Sequence, residues 1–255
     1  CADYGCREGV LTCTATCTLD ISGCQSNHDE DGDGIDDWCD NCPTVPDTLQ
    51  TDADSDGVGD ACEASFDETL LSSILFFDAF TGDQSLWTAQ SGNWLLGTDQ
   101  VEINQINQGA NYLQVDAWPG DPFGVEVTFY YTYPATAGSN WTGAVFSLRE
   151  QPTYHGYQCA FDRDAEELQI WKIENASNWT MISTTAFSTT AADGDWRRIR
   201  ADYDGAAVYC FYEDASNASA QLQISGADVS MDMSGQAGLR VYNDRAAFTS
   251  FAAYH

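Results

Sequence analysis

The sequence predicts a mainly β protein in two parts: an irregular N-terminal segment stabilised by disulfides, and a two-sheet β-sandwich. The chain has ten cysteines among 255 residues, and they gather towards the N-terminus, where disulfides would replace a hydrophobic core. From about residue 66 onwards cysteines become rare and aromatic residues common. Short runs of alternating polar and apolar residues then recur between Gly, Asn, Asp or Ser, which is the pattern of half-buried strands.

Four of these runs alternate most clearly, namely residues 124–133, 167–174, 195–203 and 238–242. Roughly a dozen such runs follow one another without a convincing amphipathic helix, which predicts a sandwich of jelly-roll type. A single-sheet barrel is the alternative. No run is long and apolar enough to span a bilayer, and the number of cysteines indicates an oxidising compartment, so we expect a secreted or cell-surface protein.

The net charge of −31 is concentrated in one region. Arg7 is the only Lys or Arg before Arg149, whereas acidic residues crowd between Asp29 and Glu63. This distribution argues against nucleic acid as a partner. We divide the chain accordingly into a cysteine-rich segment, an acidic segment and the sandwich, at residues 1–28, 29–65 and 66–255.

The acidic segment contains two loops with the same spacing, which argues against a disordered tail. Acidic residues occupy loop positions one, three, five, nine and twelve, and glycine occupies position six. The acidic residues of the first loop are Asp29, Asp31, Asp33, Asp37 and Asp40. Those of the second loop are Asp52, Asp54, Asp56, Asp60 and Glu63.

This spacing is typical of calcium-binding loops. Calcium takes about six to eight hard oxygen ligands, and alternate residues of a tight loop point their carboxylates inward. Position seven supplies only a backbone carbonyl, so Ile35 and Val58 can serve there as apolar residues. The sequence therefore predicts calcium as the cofactor, and metal-free loops should be loose because their carboxylates repel one another.

The residues after the first loop decide which kind of calcium loop this is. Pro43 and Pro46 exclude the amphipathic helix that follows an EF-hand or dockerin loop. The run Asp-Trp-Cys-Asp-Asn-Cys-Pro at 37–43, with the aspartate-rich loops, resembles the thrombospondin type 3 repeat over residues 29–63. The resemblance implies calcium ions that form the core of a rigid spacer without a sensing role.

The same resemblance implies a disulfide between Cys42 and Cys62. It also implies that carboxylates outside one loop bridge to a neighbouring ion, and Asp36, Asp37, Asp47 and Asp60 are the residues placed to do so. Zinc at Cys39 and Cys42, with Cys13 and Cys17, is the alternative for the cysteines. It is disfavoured because no histidine is suitably placed and hard carboxylates dominate the surroundings.

The first segment holds five cysteines, an odd number, so one of them should pair outside it. These are Cys1, Cys6, Cys13, Cys17 and Cys24. Residues 13–24 resemble a short cysteine-rich motif of myxobacterial secreted and surface proteins. Cys39 is the nearest outside candidate once Cys42 and Cys62 are paired, which places Cys24 and Cys39 among the disulfide candidates. In the sandwich, Cys159 and Cys210 are expected to pair between neighbouring strands.

Several short phrases of the sandwich occur in an informative order. They lie at residues 77–80, 87, 91–94, 143–146, 195–197 and 238–242. Together they resemble the laminin-G-like, concanavalin A-like superfamily, which includes carbohydrate-binding modules, over most of residues 74–254. Most of these residues should serve the fold itself.

The sequence predicts a protein without enzymatic activity. Related sandwich hydrolases carry Glu-x-Asp-x-x-Glu on one strand, and this run does not occur here. The nearest acidic cluster, at residues 162–167, is typical of a hairpin turn. No Gly-x-Ser-x-Gly motif occurs, and His28, His155 and His255 have no evident nucleophile partner.

The leading functional hypothesis is a calcium-binding adhesion or carbohydrate-binding protein whose repeats are a stiff stalk for a lectin-like domain. Glycans would stack on aromatic side chains, with Trp141, Tyr154, Tyr157 and Trp179 as candidates. The second hypothesis is a structural subunit of a calcium-stabilised extracellular filament or surface layer, whose partners are other copies of itself. The third is a targeting module of a larger secreted enzyme.

Overall fold

The computed structural model describes residues 12–13, 19–20, 26–63, 73–82, 84–103, 110–115, 124–134, 140–149, 155–175, 178–226 and 236–255. The chain divides into two compact units, Cys1–Ile74 and Leu75–His255. Among the described residues, no helix has the length and apolarity needed to cross a bilayer.

The first unit contains little regular structure where it is described. Strands β1 (Thr12–Cys13) and β2 (Leu19–Asp20) pair antiparallel, and one short helix, α1, covers Asp60–Glu63. Between residues 26 and 59 the chain proceeds through turns, many of which are closed by aspartate side chains that accept backbone N–H groups. The predicted irregular N-terminal segment is confirmed.

Where it is described, the second unit consists almost entirely of strands, with a 3-10 turn at Gln84–Leu86. In chain order the strands are β3 (Ile74–Asp78), β4 (Trp87–Ser91), β5 (Trp94–Leu96), β6 (Val101–Ile103), β7 (Ala110–Val115), β8 (Gly124–Tyr131), β9 (Trp141–Arg149), β10 (His155–Asp162), β11 (Glu167–Asn175), β12 (Asn178–Ala186), β13 (Arg197–Tyr203), β14 (Ala207–Asp214), β15 (Ser219–Ser225), β16 (Gln236–Tyr242) and β17 (Ala246–Tyr254).

These strands form two antiparallel sheets. The seven-stranded sheet has the order β12-β11-β10-β9-β16-β7-β4, and the eight-stranded sheet has the order β15-β14-β13-β8-β17-β6-β5, with β3 also pairing with β17. The predicted two-sheet sandwich is confirmed, and the single-sheet barrel is wrong. Strands distant in the chain lie side by side, because β16 inserts between β9 and β7 and β17 inserts between β8 and β6.

The hydrophobic core lies between the two sheets. Along each strand alternate side chains enter it, as Ile199 and Ala201 do on β13. Aromatic rings contact one another across the gap: the ring of Phe161 on β10 lies 4.6 Å from that of Tyr212 on β14, measured between centroids. The second set of alternate side chains points away from the core, so each sheet also presents an outward face.

A disulfide joins the two sheets. Cys159 on β10 and Cys210 on β14 are bonded, with their Cα atoms 5.6 Å apart. The predicted pairing of these two cysteines is confirmed, but β10 and β14 belong to different sheets and are not neighbours within one sheet. Both residues belong to the alternate set that faces the core, where the opposite sheet is the nearest partner.

We expect the double variant Cys159→Ala/Cys210→Ala to lower the free energy of unfolding of the sandwich by about 2–4 kcal/mol. The bond closes a loop of 51 residues and so restricts the unfolded chain. The guanidinium midpoint of the intact protein measures the effect. The matched control is Cys42→Ala/Cys62→Ala, which removes a disulfide of the first unit. An unchanged sandwich midpoint in the first variant would contradict the expectation.

Candidate functional site

The two acidic loops have the same hydrogen-bond pattern. In each loop the carboxylate at position one accepts the N–H groups of positions four and six, at 2.8 and 2.9 Å for Asp29 and at 2.6 and 3.1 Å for Asp52. The carboxylate at position nine accepts the N–H group of position two, at 2.8 Å in both loops. The glycines at position six, Gly34 and Gly57, have φ angles of 95° and 99°, a conformation that side chains disfavour.

Each loop gathers carboxylates around a common point. One oxygen from each of the acids at positions one, three and five lies within 4.8 Å of the others, in the first loop and again in the second. Backbone N–H groups two residues on hold the acids at positions three and five, at 3.1 and 2.8 Å in the first loop and at 3.3 and 2.8 Å in the second. The loops thus hold like charges together.

The residues fit a calcium ion. Oδ2 of Asp31 and Oε1 of Glu63 are buried without a hydrogen-bond partner. Burial raises the pKa of Asp31 to about 7, and neighbouring carboxylates add to this rise although the N–H of Asp33 opposes it. Burial and the charges of nearby aspartates likewise raise the pKa of Glu63 to about 7. No Lys or Arg lies between residues 8 and 148, and a hard divalent cation would supply the partner that these oxygens lack.

Two further predicted ligands, Asp37 and Asp40, already bond to protein groups. Asp37 is buried, and its two oxygens accept the N–H of Glu30 and bond with Nδ1 of His28, each at 2.8 Å. One oxygen of Asp40 accepts the N–H of Cys42 at 2.7 Å and an amide N–H of Gln50 at 2.8 Å. The structure thus gives both residues a scaffolding role, and metal binding by them stays a prediction.

Asp36 and Asp47, two of the four predicted bridging residues, close turns. Asp36 accepts the N–H groups of Ser26 and Asn27, both at 2.8 Å. Asp47 accepts the N–H groups of Leu49 and Thr51, both at 3.0 Å, and its own N–H donates to a carboxylate oxygen of the first loop at 2.9 Å. Backbone bonds at Asp47 lower its pKa, which keeps it charged.

Direct bonds tie the two loops together. The structure joins Cys42 to Cys62, with Cα atoms 5.4 Å apart, which is the pairing that the resemblance implies. The N–H of Gly59 donates to the carbonyl of Asn41 at 2.8 Å, and a side chain at Gly59 would overlap the Asn41 amide. Cys39 is also disulfide-bonded, which with the Cys42 bond removes two of the four thiolates of the zinc alternative. Cys24 lies outside the described residues.

A second candidate site lies on the outward face of the seven-stranded sheet. We call it the aromatic face and define it by residues Trp141, Gln158, Trp171, Trp179, Arg240 and Tyr242. Strand register places these residues on adjacent strands: Trp141 is opposite Tyr242, and Gln158 is opposite Trp171. Val145 and Ile173, which are fully buried, form a second small apolar cluster with Tyr112, and Trp179 packs against this cluster.

The rings of the aromatic face form a connected surface. The centroid of the Trp141 ring lies 4.5 Å from that of Tyr242, nearly parallel to it, and 4.4 Å from that of Trp171. All four aromatic residues of the face are half-buried, so part of each remains accessible. Hydrogen bonds fix two indoles, because Trp141 donates to Asp162 and Trp171 donates to Gln169, each at 2.9 Å.

The structure brings together two of the four predicted glycan-binding residues. Trp141 and Trp179 both lie on the aromatic face. Tyr157 does not: it points into the core and is fully buried, so its inclusion is corrected. Its neighbour Gln158 occupies the outward position, and the sequence of β10 does not reveal which set faces the core. Tyr154 lies outside the described residues.

Sequence reasoning missed Trp171, Tyr242 and Arg240. One available signal was the alternation of β11, in which Leu168 and Ile170 are apolar while Gln169 and Trp171 occupy the other face. No comparable signal exists for Arg240, because the strand that carries it reaches this sheet only through long-range pairing.

The acidic cluster at residues 162–167 forms the predicted hairpin turn. Asp162 accepts the N–H groups of Asp164 and Ala165, at 3.1 and 3.3 Å, and closes the turn between β10 and β11. Glu166 has a φ angle of 51°, as a turn residue does. Glu167 accepts hydrogen bonds from its strand neighbours Gln169 and Thr184, at 3.1 and 3.0 Å. These bonds give the acids a structural role.

Comparison with known families now assigns the loops. Residues 20–50 and 51–73 match the thrombospondin type 3 repeat. The match extends beyond both ends of residues 29–63, where the sequence spacing indicated it. The chain therefore contains a segment, residues 20–73, that matches thrombospondin type 3 repeats, and a β-sandwich of jelly-roll type.

Solved structures share the sandwich fold. The carbohydrate-binding module CBM66 from Bacillus subtilis is 17% identical, with a TM-score of 0.50 over 64% of this chain and 92% of that one. The Lotus tetragonolobus seed lectin is 12% identical, with a TM-score of 0.51 over 70% and 96%. A laminarinase from Flavobacterium sp. UMI-01 is 8% identical, with a TM-score of 0.50 over 72% and 100%. No curated protein matches the chain.

These likenesses establish the fold alone, because all the identities are low. The fold is shared by a carbohydrate-binding module, a lectin and a laminarinase, so function depends on the site that each chain carries.

Proposed function

We propose that the protein is an extracellular, non-enzymatic carbohydrate-binding protein whose aromatic face holds the glycan. In this proposal the thrombospondin type 3 repeats bind calcium and act as a stiff stalk. The observation that carries the proposal is the row of three connected rings, Trp171, Trp141 and Tyr242, on the outward face of one sheet. The solved carbohydrate-binding module and seed lectin that share the fold support it.

The chemistry of the face suits a saccharide. Pyranose rings have an apolar surface of C–H groups, which packs against the faces of indole and phenol rings. Their hydroxyl groups need polar partners at fixed positions, and Gln158 and Arg240 supply donors between the rings. Because hydrogen bonds hold Trp141 and Trp171 in place, little side-chain entropy is lost on binding.

A glycan array probed with the intact protein tests the proposal. We expect binding to a defined subset of glycans, and we expect Trp171→Ala to weaken it about tenfold or more, because the ring area that packs on the sugar is lost. The control is Trp196→Ala, which removes an indole that is 45% exposed beside β13 of the other sheet. Equal binding by Trp171→Ala and the wild type, or release of cleaved glycan, would contradict the proposal.

One observation favours self-assembly as a second candidate function. Strand β12 lies at the edge of the seven-stranded sheet, is nine residues long and contains neither a charged residue nor a proline. Edge strands without such residues are open to pairing with another chain. Sedimentation of the array sample in calcium separates the two functions, since a filament subunit would form large particles and a binding module would not.

A further inference from the structure

Arg240 lies at the centre of the aromatic face and is almost completely buried. Its exposed fraction is 3%. Its Cζ atom lies 3.7 Å from the ring centroid of Trp179 and 5.7 Å from that of Trp141. One terminal N–H donates to the side-chain oxygen of Gln158. The guanidinium is thus enclosed by indoles and an amide.

Two other largely buried arginine side chains of the sandwich have carboxylate partners. A third, Arg197, donates to three backbone carbonyls, and among the described residues Arg240 has neither kind of partner. Arg163 contacts Asp193 and Asp244 at 2.9 and 2.7 Å. Arg200 lies 3.3 Å from Asp202 and 4.0 Å from a glutamate on β8. Within the described part of the chain, no carboxylate and no backbone carbonyl bonds to Arg240, and its Nε–H has no acceptor.

The missing partner is an acceptor with a negative charge. The Nε2 amide of Gln158, fully buried beside Arg240, also lacks an acceptor. Burial lowers the pKa of Arg240 to about 9, opposed only by the nearby Tyr242, so the guanidinium stays charged at neutral pH. Burying an unpaired charge and two unsatisfied donor groups is costly unless a ligand satisfies them.

We propose that the aromatic face recognises an acidic saccharide, and that the carboxylate of a hexuronate binds Arg240 and Gln158. This inference rests on the proposed function and names its ligand class. A carboxylate has two oxygens in one plane, which match two in-plane N–H groups of a guanidinium. The half-buried Trp179 ring covers the Arg240 guanidinium, and the guanidinium N–H groups are shielded from solvent, so the ligand reaches them when the Trp179 side chain moves aside.

A neutral sugar satisfies this arrangement less well. A hydroxyl group can accept a hydrogen bond from Nε–H, but it leaves the positive charge of Arg240 without a counterion. The strongly negative chain does not prevent the binding of an acid. Charges more than about 8 Å away are largely screened at physiological ionic strength, so the contacts around Arg240 decide the outcome.

The test compares the free acid of a uronate with its methyl ester on the intact wild-type protein. Trisaccharides of galacturonate, glucuronate and mannuronate are titrated by calorimetry in excess calcium, because long polyuronates would themselves bind calcium. At least one acid is expected to bind about tenfold or more tightly than its ester, since a hydrogen bond between charged groups is lost on esterification. Arg240→Gln should bind acid and ester equally well.

The ligand-side comparison uses the wild type, so it remains decisive if Arg240→Gln does not fold. Equal binding of acids and esters, or tighter binding of a sulfated galactose trisaccharide than of every uronate, would overturn the inference and leave the proposed function intact. If the array shows no binding to any glycan, the proposed function itself fails. Arg240→Lys keeps the charge but loses the planar N–H pair, and its preference for the acid should be intermediate.

Discussion

Removal of calcium should make residues 26–63 accessible to protease while the sandwich stays folded. The described part of this segment buries few apolar side chains, chiefly Val58, Cys42 and Cys62, so its conformation depends on the loops. Without a cation the carboxylates that converge in each loop repel one another by about 1 kcal/mol per close pair, even in water. We expect cleavage to be about tenfold faster or more after chelation.

Trypsin cannot cut this segment, because it contains no Lys or Arg. An endoprotease specific for glutamate would cleave after Glu30 and Glu63, and the fragments are identified by mass. The disulfide between Cys42 and Cys62 stays intact in both samples, so the two samples differ only in bound calcium. Equal cleavage rates in millimolar calcium and in chelator would show that the loops do not need the ion.

Substitution of Asp214 should destabilise the sandwich by about 3 kcal/mol. This buried carboxylate ends β14 and accepts hydrogen bonds from the hydroxyl of Tyr212 at 2.8 Å, from the N–H and hydroxyl of Ser216 at 2.9 and 2.7 Å, and from the hydroxyl of Thr189. In Asp214→Ala these donors lose their acceptor, and the Tyr212 hydroxyl is buried. The guanidinium midpoint at pH 7 measures the loss.

The effect should shrink in acid. Burial alone would raise the pKa of Asp214, but the hydrogen bonds from Thr189, Ser216 and Tyr212 outweigh burial and lower it. A lowered pKa adds stability that is fully present above the unfolded value of about 4 and is lost as pH falls through the folded value. The difference between wild type and Asp214→Ala should therefore be smaller at pH 2 than at pH 7. A difference that does not change with pH would contradict this assignment.

The acidic loops could be predicted from sequence because their structure is local. A carboxylate at position one bonds to N–H groups three and five residues away, so the spacing of Asp29 and Asp52 from their glycines already fixes the turns. The added contacts of Asp37 with His28 and of Asp40 with Gln50 involve side-chain choices that spacing alone does not encode.

The strands of the sandwich could also be predicted, but their arrangement could not. Alternation indicates a strand and leaves open which alternate set faces the core, which is why Tyr157 was assigned to the wrong face. It also leaves strand order open, which is why Cys159 and Cys210 were expected on neighbouring strands. The aromatic face depends on both choices, since Trp141 and Arg240 meet only because β16 pairs with β9.

Hydrogen–deuterium exchange of the intact protein, with and without a glycan that the array selects, tests the central claim most directly. The account predicts slower exchange in β9, β10, β11, β12 and β16, whose outward side chains form the aromatic face. It predicts no change in β13 and β14 of the other sheet. Slower exchange confined to the eight-stranded sheet or to the acidic loops would place the binding site elsewhere and contradict the account.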